Sequence, residues 1–144
     1  MQGPHTRYLD LVAAGALGAD AAQARAMERL EALSQALRAL ERPRFFFQPR
    51  PAPPRGLYLW GGVGRGKSLL MDIFFNNTDV ARKRRVHFHE FMAETHERIA
   101  AFRAADEKTR RRRRAANPKA LNDPIPPVAA DIAEDAMLLC FDEF

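Results

Sequence analysis

The stretch GGVGRGKS at residues 61–68 fits the phosphate-binding pattern G-x-x-x-x-G-K-[ST] at every position. The apolar run LYLW at residues 57–60 precedes it and predicts a strand, and the apolar stretch at residues 69–75 follows it and predicts a helix. Strand, glycine loop and helix form the context in which such a loop binds phosphate. We therefore predict an α/β fold in which a parallel sheet leads into a phosphate loop.

The residue types in this loop explain its chemistry. Glycines let successive backbone N–H groups turn inward around an anion, and the positive end of the following helix faces the same anion. Lys67 is expected to reach the β- and γ-phosphates of a nucleotide, and the Ser68 hydroxyl to ligate Mg²⁺. The predicted nucleotide-binding residues are Gly61, Gly62, Val63, Gly64, Arg65, Gly66, Lys67 and Ser68.

A second motif ends the sequence. The continuous apolar run MLLCF at residues 137–141 predicts a strand buried on both faces, and Asp142 and Glu143 follow it. At the tip of such a strand, Asp142 can hold Mg²⁺ directly or through a water, and Glu143 can polarise the attacking water. The two motifs together predict a nucleoside triphosphate and Mg²⁺ as ligands, with Glu143 and Lys67 as the catalytic residues. An acidic residue directly after the aspartate, here Glu143, is typical of ATP-hydrolysing P-loop proteins and favours ATP as the nucleotide. The motifs alone leave the choice between ATP and GTP open.

The sequence divides into three predicted segments: an N-terminal helical segment at 1–43, a proline-rich linker at 44–55, and a P-loop domain at 56–144. Residues 1–16 show no clear pattern. Asp20 is the predicted N-cap of a helix over 21–41. Apolar residues recur along that helix at steps of three and four and predict one buried face: Met27, Leu30, Leu33, Leu37 and Leu40.

Between the two motifs, the pattern predicts a strand at residues 86–89, a helix from Glu90 through the arginine run, and a shorter helix opened by Asp123-Pro124. On this reading His87 and His89 share one strand face, and His96 lies on the next helix. A metal site is one interpretation of these histidines. A role in packing or in subunit contacts is the favoured one, because the zinc-protease helix pattern is not matched and a second cysteine is not available.

The net charge of +5 is concentrated in two clusters, residues 82–85 and the five arginines at 110–114. Such clusters either form a solvated surface or bind nucleic acid, an anionic membrane surface or an acidic partner. Composition is that of a globular protein, with 47% hydrophobic and 28% charged residues, and no apolar stretch is long enough to span a bilayer. The start shows no secretory signal, and the single cysteine, Cys140, is typical of a reducing compartment.

The segments at residues 54–72, 85–92, 123–125 and 138–144 closely resemble the ZapE cell-division ATPases and their mitochondrial relatives, the AFG-one-like ATPases. The N-terminal helix is similar to theirs as well, through Asp20, Gln23 and Leu30. The resemblance covers nearly the whole chain from about residue 17. It implies an AAA+-type P-loop ATPase with a three-layer αβα domain and a parallel sheet. It also implies the site roles given above for Lys67, Ser68, Asp142 and Glu143.

The resemblance further implies Mg²⁺-dependent ATP hydrolysis that acts on a protein partner, in bacterial division-ring regulation or in mitochondrial protein quality control. The start of the sequence is not transit-like, which favours the bacterial branch, a cytoplasmic location near the inner membrane, and a division-ring protein as partner. A homo-oligomer and peripheral membrane association are further expectations. Family chains continue past the Asp-Glu strand, so this chain resembles an N-terminal portion with an incomplete sheet and doubtful activity of its own.

Two alternatives stay open at this point. The first is a nucleic-acid-dependent ATPase or loader that uses the two basic clusters. The second is a non-catalytic module that binds a partner through the helix at 21–41.

Overall fold

The computed structural model of the chain describes residues 2–41, 52–62, 64, 66–113 and 123–143. Helices and a small parallel sheet make up these ranges, so the structure is of the mixed α/β type. The chain divides into two compact units, one ending at Ala81 and one beginning at Arg82. The elements are α1 (Pro4–Ala13), α2 (Ala21–Glu41), α3 (Lys67–Asn77), β1 (Lys83–His87), α4 (Phe88–Ala104), α5 (Glu107–Arg113), α6 (Ile125–Asp135) and β2 (Leu138–Asp142).

The first unit is built from α1, α2 and α3, each of which packs against the other two. The predicted helix at 21–41 is confirmed as α2, and its N-cap is confirmed as well, because Asp20 Oδ1 accepts the N–H groups of Ala22 and Gln23 at 2.7 and 3.1 Å. The helix predicted after the glycine loop is confirmed as α3. The core of the unit consists of apolar side chains from the three helices and the turn after α3: Tyr8, Met27, Leu30, Leu37, Leu70, Ile73, Phe74 and Val80.

Helix α1 was not predicted. Its first residue is Pro4, which suits a first helical turn because the missing N–H has no partner there. Its one large buried side chain, Tyr8, is only 2% exposed. Prediction of a helix from sequence needs apolar residues that recur at steps of three and four, and α1 packs through this single residue instead.

The strand predicted at residues 57–60 is not formed in the described structure. Tyr58 and Trp60 are 68% and 83% exposed. A parallel strand is stable when neighbouring strands pair with its N–H and C=O groups and other elements cover its side chains. The described elements of this unit are helices, so residues 57–60 lack such a neighbour within it.

The second unit holds the sheet. Strands β1 and β2 pair in parallel, with Lys83 opposite Leu138 and His87 opposite Asp142. The strand predicted at 137–141 is confirmed as β2, displaced by one residue. Helix α4 packs against β1 and α6. The core of the unit consists of Val86, Phe102, Val128, Ala136, Leu138 and Cys140.

Three boundaries in this unit differ from prediction. The strand predicted at 86–89 begins earlier and ends at His87, so His89 lies in α4 rather than on a strand face. The helix predicted from Glu90 through the arginine run is interrupted, because Asp106 Oδ1 accepts the N–H of Thr109 at 2.6 Å and starts α5 as a separate helix.

The remaining predicted elements have different outcomes. The helix opened by Asp123-Pro124 is confirmed as α6, where Asp123 Oδ1 accepts the N–H of Ile125 at 2.9 Å. Three predicted features lie outside the described residues: the break at Asn117-Pro118, most of the proline-rich linker, and Arg114 of the arginine run. The predicted segment boundaries near residues 43 and 55 stay predictions.

Candidate functional site

The glycine loop lies in the first unit and leads directly into α3. Gly64 and Gly66 have φ values of 78° and 74°, in the left-handed region that favours glycine. Gly66 is the N-cap of α3, and its carbonyl accepts the N–H of Leu70 at 3.0 Å, which is the first bond of the helix. Val63 and Arg65 lie outside the described residues. The local backbone therefore places the start of a helix at the end of the loop, as an anion site requires.

Lys67 spans this loop with its side chain. Its Nζ donates to the carbonyl oxygens of Gly61 and Gly62, at 2.8 Å each. The ammonium group is thus held over the loop by two backbone carbonyls. Phosphate oxygens of a bound nucleotide would replace these carbonyls as its acceptors. Ser68, the next residue of α3, is exposed. Its hydroxyl is of the hard oxygen type that Mg²⁺ prefers.

Gln23 is a site residue that sequence reasoning missed. A Cβ placed on Gly66 would lie 3.1 Å from Gln23 Nε2, so the amide of this α2 residue fills the space beside the loop. Asp20 fixes the first turn of α2 by accepting the N–H of Gln23. The sequence analysis named Gln23 only as part of the family resemblance. The spacing Asp20-x-x-Gln23 places the glutamine in the first turn of a capped helix but does not indicate its contact with the loop.

Asp142 and Glu143 lie in the second unit, at the end of β2. The Asp142 side chain is 15% exposed and is bound by the Arg85 guanidinium, with Nε and Nη2 at 2.8 and 2.6 Å from Oδ2. Glu143 has φ 55°, an unusual value for a residue with a side chain, and its side chain is 77% exposed. Its Oε2 lies 3.9 Å from His87 Nδ1. Strain of this kind is concentrated at functional sites in proteins.

The predicted site residues therefore fall into two sets, each described within its own unit. Lys67 and Ser68 share the loop and helix of the first, and Asp142 and Glu143 share the strand end of the second. The Ser68 hydroxyl and the Asp142 carboxylate are each of the oxygen type that Mg²⁺ prefers.

The histidines stack rather than converge with other ligands. The rings of His87 and His89 are 5.8 Å apart and nearly parallel. Within the described ranges, no group of three His, Cys, Asp or Glu side chains is arranged to hold a metal ion.

The basic cluster at 82–85 is largely used inside the second unit. Arg82 Nη1 donates to the carbonyls of Ala133 and Glu134 at the end of α6, where a cation is favoured by the helix dipole. Arg84 binds Glu94 at 2.6 Å, and Glu94 also accepts a bond from Arg98 at 3.0 Å. These bonds, that of Arg84 first, lower the pKa of Glu94. Three arginines of the cluster therefore bind acceptors of the second unit, although Arg82 and Arg84 stay partly exposed to solvent.

Comparison with protein families assigns the chain to a family. A family model described as AFG1-like ATPase matches residues 2–144. The chain belongs to the AFG1-like ATPase family. The family consists of P-loop ATPases, so the coarse α/β assignment and the resemblance noted from the sequence are confirmed.

Two curated relatives each match about two thirds of the chain. Lactation elevated protein 1 homolog B of Danio rerio is 44% identical over 95 residues, covering 66% of this chain and 18% of that protein. Cell division protein ZapE of Escherichia coli K12 is 40% identical over 92 residues, covering 64% of this chain and 20% of that protein. The match thus spans about a fifth of the length of these relatives. No solved structure matches the chain. The described helices include none with the length and apolar character of a membrane span.

Proposed function

We propose that this chain supplies the nucleotide-binding half of an AAA+-type ATPase that hydrolyses ATP with Mg²⁺. The observation that carries the proposal is the Lys67 ammonium, held over Gly61 and Gly62 at the N-terminus of α3. A cation, a glycine loop and a helix dipole directed at one point form a phosphate site. Membership in the AFG1-like ATPase family supports the choice of ATP.

In this proposal each residue has a defined task. Lys67 exchanges its two carbonyl acceptors for phosphate oxygens, and backbone N–H groups of residues 61–68 bind the remaining phosphate charge. Ser68 and Asp142 are the proposed Mg²⁺ ligands, and a bound ion would supply positive charge to neutralise the phosphoryl group. Glu143, exposed after the strand, orients and polarises the attacking water. The complete domain is a three-layer αβα sandwich in which further strands extend the sheet.

The partner belongs to the proposal as well. The name of the Escherichia coli relative refers to cell division. We propose a bacterial, cytoplasmic ATPase near the inner membrane that acts on a division-ring protein, with self-association as the expected state of an AAA+-type enzyme. Nucleic acid is the weaker candidate for the cluster at 82–85, because Arg82, Arg84 and Arg85 bind acceptors within their own unit.

ATP turnover and nucleotide binding by the protein at its full natural length test the proposal. Lys67→Ala is expected to weaken binding of a fluorescent ATP analogue at least about tenfold, because it removes a charge-assisted bond to phosphate. Glu143→Gln is expected to keep binding and lower turnover about 100-fold or more, as for loss of a general base.

The exposed residues Lys108 and Glu97 provide matched controls, since Lys108→Ala and Glu97→Gln make the same changes elsewhere on the surface. Unchanged turnover in both Lys67→Ala and Glu143→Gln would overturn the assignments.

A further inference from the structure

The ion pair between Arg85 and Asp142 follows from the register of the sheet. Arg85 lies opposite Cys140 and His87 lies opposite Asp142. Residues two apart on a strand point to the same face, so Arg85 and Asp142 are diagonal neighbours on one face of the sheet. Diagonal neighbours are within reach of a long side chain, and the guanidinium of Arg85 bridges this gap.

The geometry of the pair fixes the carboxylate. Nε and Nη2 of Arg85 both contact Oδ2 of Asp142, at 2.8 and 2.6 Å. The Asp142 side chain is only 15% exposed, and that of Arg85 is 30% exposed. A carboxylate with so little exposure to water needs a compensating charge. The guanidinium supplies that charge, and its planar geometry fixes the orientation of the carboxylate. Asp142 is thus held by one oxygen at the tip of β2.

We infer that Arg85 is a positioning residue for Mg²⁺: it holds the Asp142 carboxylate in the orientation in which that group would bind the ion. The inference rests on the proposed function and assigns a role to a residue that the sequence placed only in a basic cluster. Partners that hydrogen-bond a metal-binding carboxylate commonly contribute 10–100-fold to metal affinity. In this role Arg85 acts through Asp142.

Arg84 is a matched control on the same strand. It points to the opposite face, is 38% exposed, and binds the carboxylate of Glu94 at 2.6 Å. Arg84→Gln therefore breaks an ion pair of the same kind in the same element and leaves Asp142 with its partner. Any general effect of a lost arginine on β1 appears in both variants, whereas an effect on Mg²⁺ binding is expected only in Arg85→Gln.

The experiment measures the affinity of the full natural-length protein for a fluorescent ATP analogue as Mg²⁺ is titrated, with the melting temperature of each variant alongside. Arg85→Gln is expected to raise the Mg²⁺ concentration for half-maximal effect about tenfold or more, with affinity in the absence of Mg²⁺ unchanged. Arg85→Lys, which keeps the charge, is expected to recover part of the loss. In an Asp142→Asn background, Arg85→Gln is expected to add nothing.

Three outcomes overturn the inference. One is an unchanged Mg²⁺ dependence in Arg85→Gln, and another is an equal shift in Arg84→Gln. The third is an Arg85→Gln effect that persists in the Asp142→Asn background. If Asp142→Asn alone loses the Mg²⁺ dependence and Arg85→Gln does not, the role of Arg85 fails while the proposed function stands. If the unaltered protein shows no binding of the analogue with Mg²⁺, the proposed function fails and the inference with it.

Discussion

Replacement of Gly66 by alanine tests whether the corner of the glycine loop is set by backbone conformation and by the neighbouring helix. Gly66 has φ 74°, and a Cβ there would lie 3.1 Å from Gln23 Nε2. The left-handed conformation costs a residue with a Cβ about 1–2 kcal/mol. Displacing the Gln23 amide from its place beside the loop adds about 1 kcal/mol on the scale of a single lost hydrogen bond or contact. We expect Gly66→Ala to lower the free energy of unfolding by about 2–3 kcal/mol in total.

Two other glycines separate these contributions. Gly64 has φ 78° with open space around its Cβ position, so Gly64→Ala carries the conformational cost alone, about 1–2 kcal/mol. Gly56 has neither a positive φ nor a close neighbour, so Gly56→Ala is expected to be neutral or stabilising by up to about 1 kcal/mol. Urea unfolding of the four proteins gives the ranking.

The contact with Gln23 is isolated by a double-mutant cycle. If the amide is the obstacle, Gly66→Ala in a Gln23→Ala background should cost about as much as Gly64→Ala does. A cost that is the same with and without Gln23, or a Gly66→Ala variant as stable as Gly56→Ala, would refute the reasoning.

Three further predictions concern stability and reactivity. Asp20→Ala should lower the free energy of unfolding by about 1 kcal/mol through loss of the α2 N-cap, whereas Asp20→Asn, which keeps an acceptor oxygen, should lose only a few tenths. Burial raises the pKa of the Cys140 thiol from 9.0 to about 11. Because the thiolate is the reactive form, a disulfide reagent at pH 8 should label Cys140 about 100-fold more slowly in the folded protein than in the protein unfolded in urea. The stabilisation linked to that neutral thiol is full below pH 9 and is lost as the pH rises toward 11. Equally fast labelling of the folded and unfolded protein would contradict the raised pKa of the thiol. The hydrogen bond from Arg84 lowers the pKa of Glu94 below 4.5, so the stabilisation is full above pH 4.5 and is lost as the pH falls through the lowered value. Glu94→Gln should cost up to about 1 kcal/mol at pH 7 and flatten the acid unfolding profile, and an unchanged profile would count against it.

Elements with a local signal could be predicted from the sequence. Helix α2 has a capping aspartate and a regular apolar face, and β2 is a continuous apolar run, so local chemistry and burial agree. Residues 57–60 have an equally apolar composition, yet a strand also needs a paired neighbour, which composition does not report. Helix α1 depends on a single buried side chain, Tyr8, and offered no period to detect.

The glycine loop and the Asp-Glu pair could be identified as candidate site residues because phosphate and Mg²⁺ binding require these residue types at this local spacing. The two contacts that refine the site could not. The approach of Gln23 to Gly66 depends on how α2 packs beside α3, and the pairing of Arg85 with Asp142 depends on strand register. Both join residues that are distant in the sequence, and a basic cluster at 82–85 gave no indication that its members face opposite sides of a strand.

The junction between β1 and α4 has a mechanical consequence. The strand ends at His87 and the helix begins at Phe88, so the two elements share a peptide bond and no slack separates them. The helix has 17 residues and is therefore about 25 Å long. A tilt of about 5° at its base moves its far end by about 2 Å. Since Arg85 lies two residues before the end of β1, a change in the orientation of this strand end would also move Ala104, and by a larger distance.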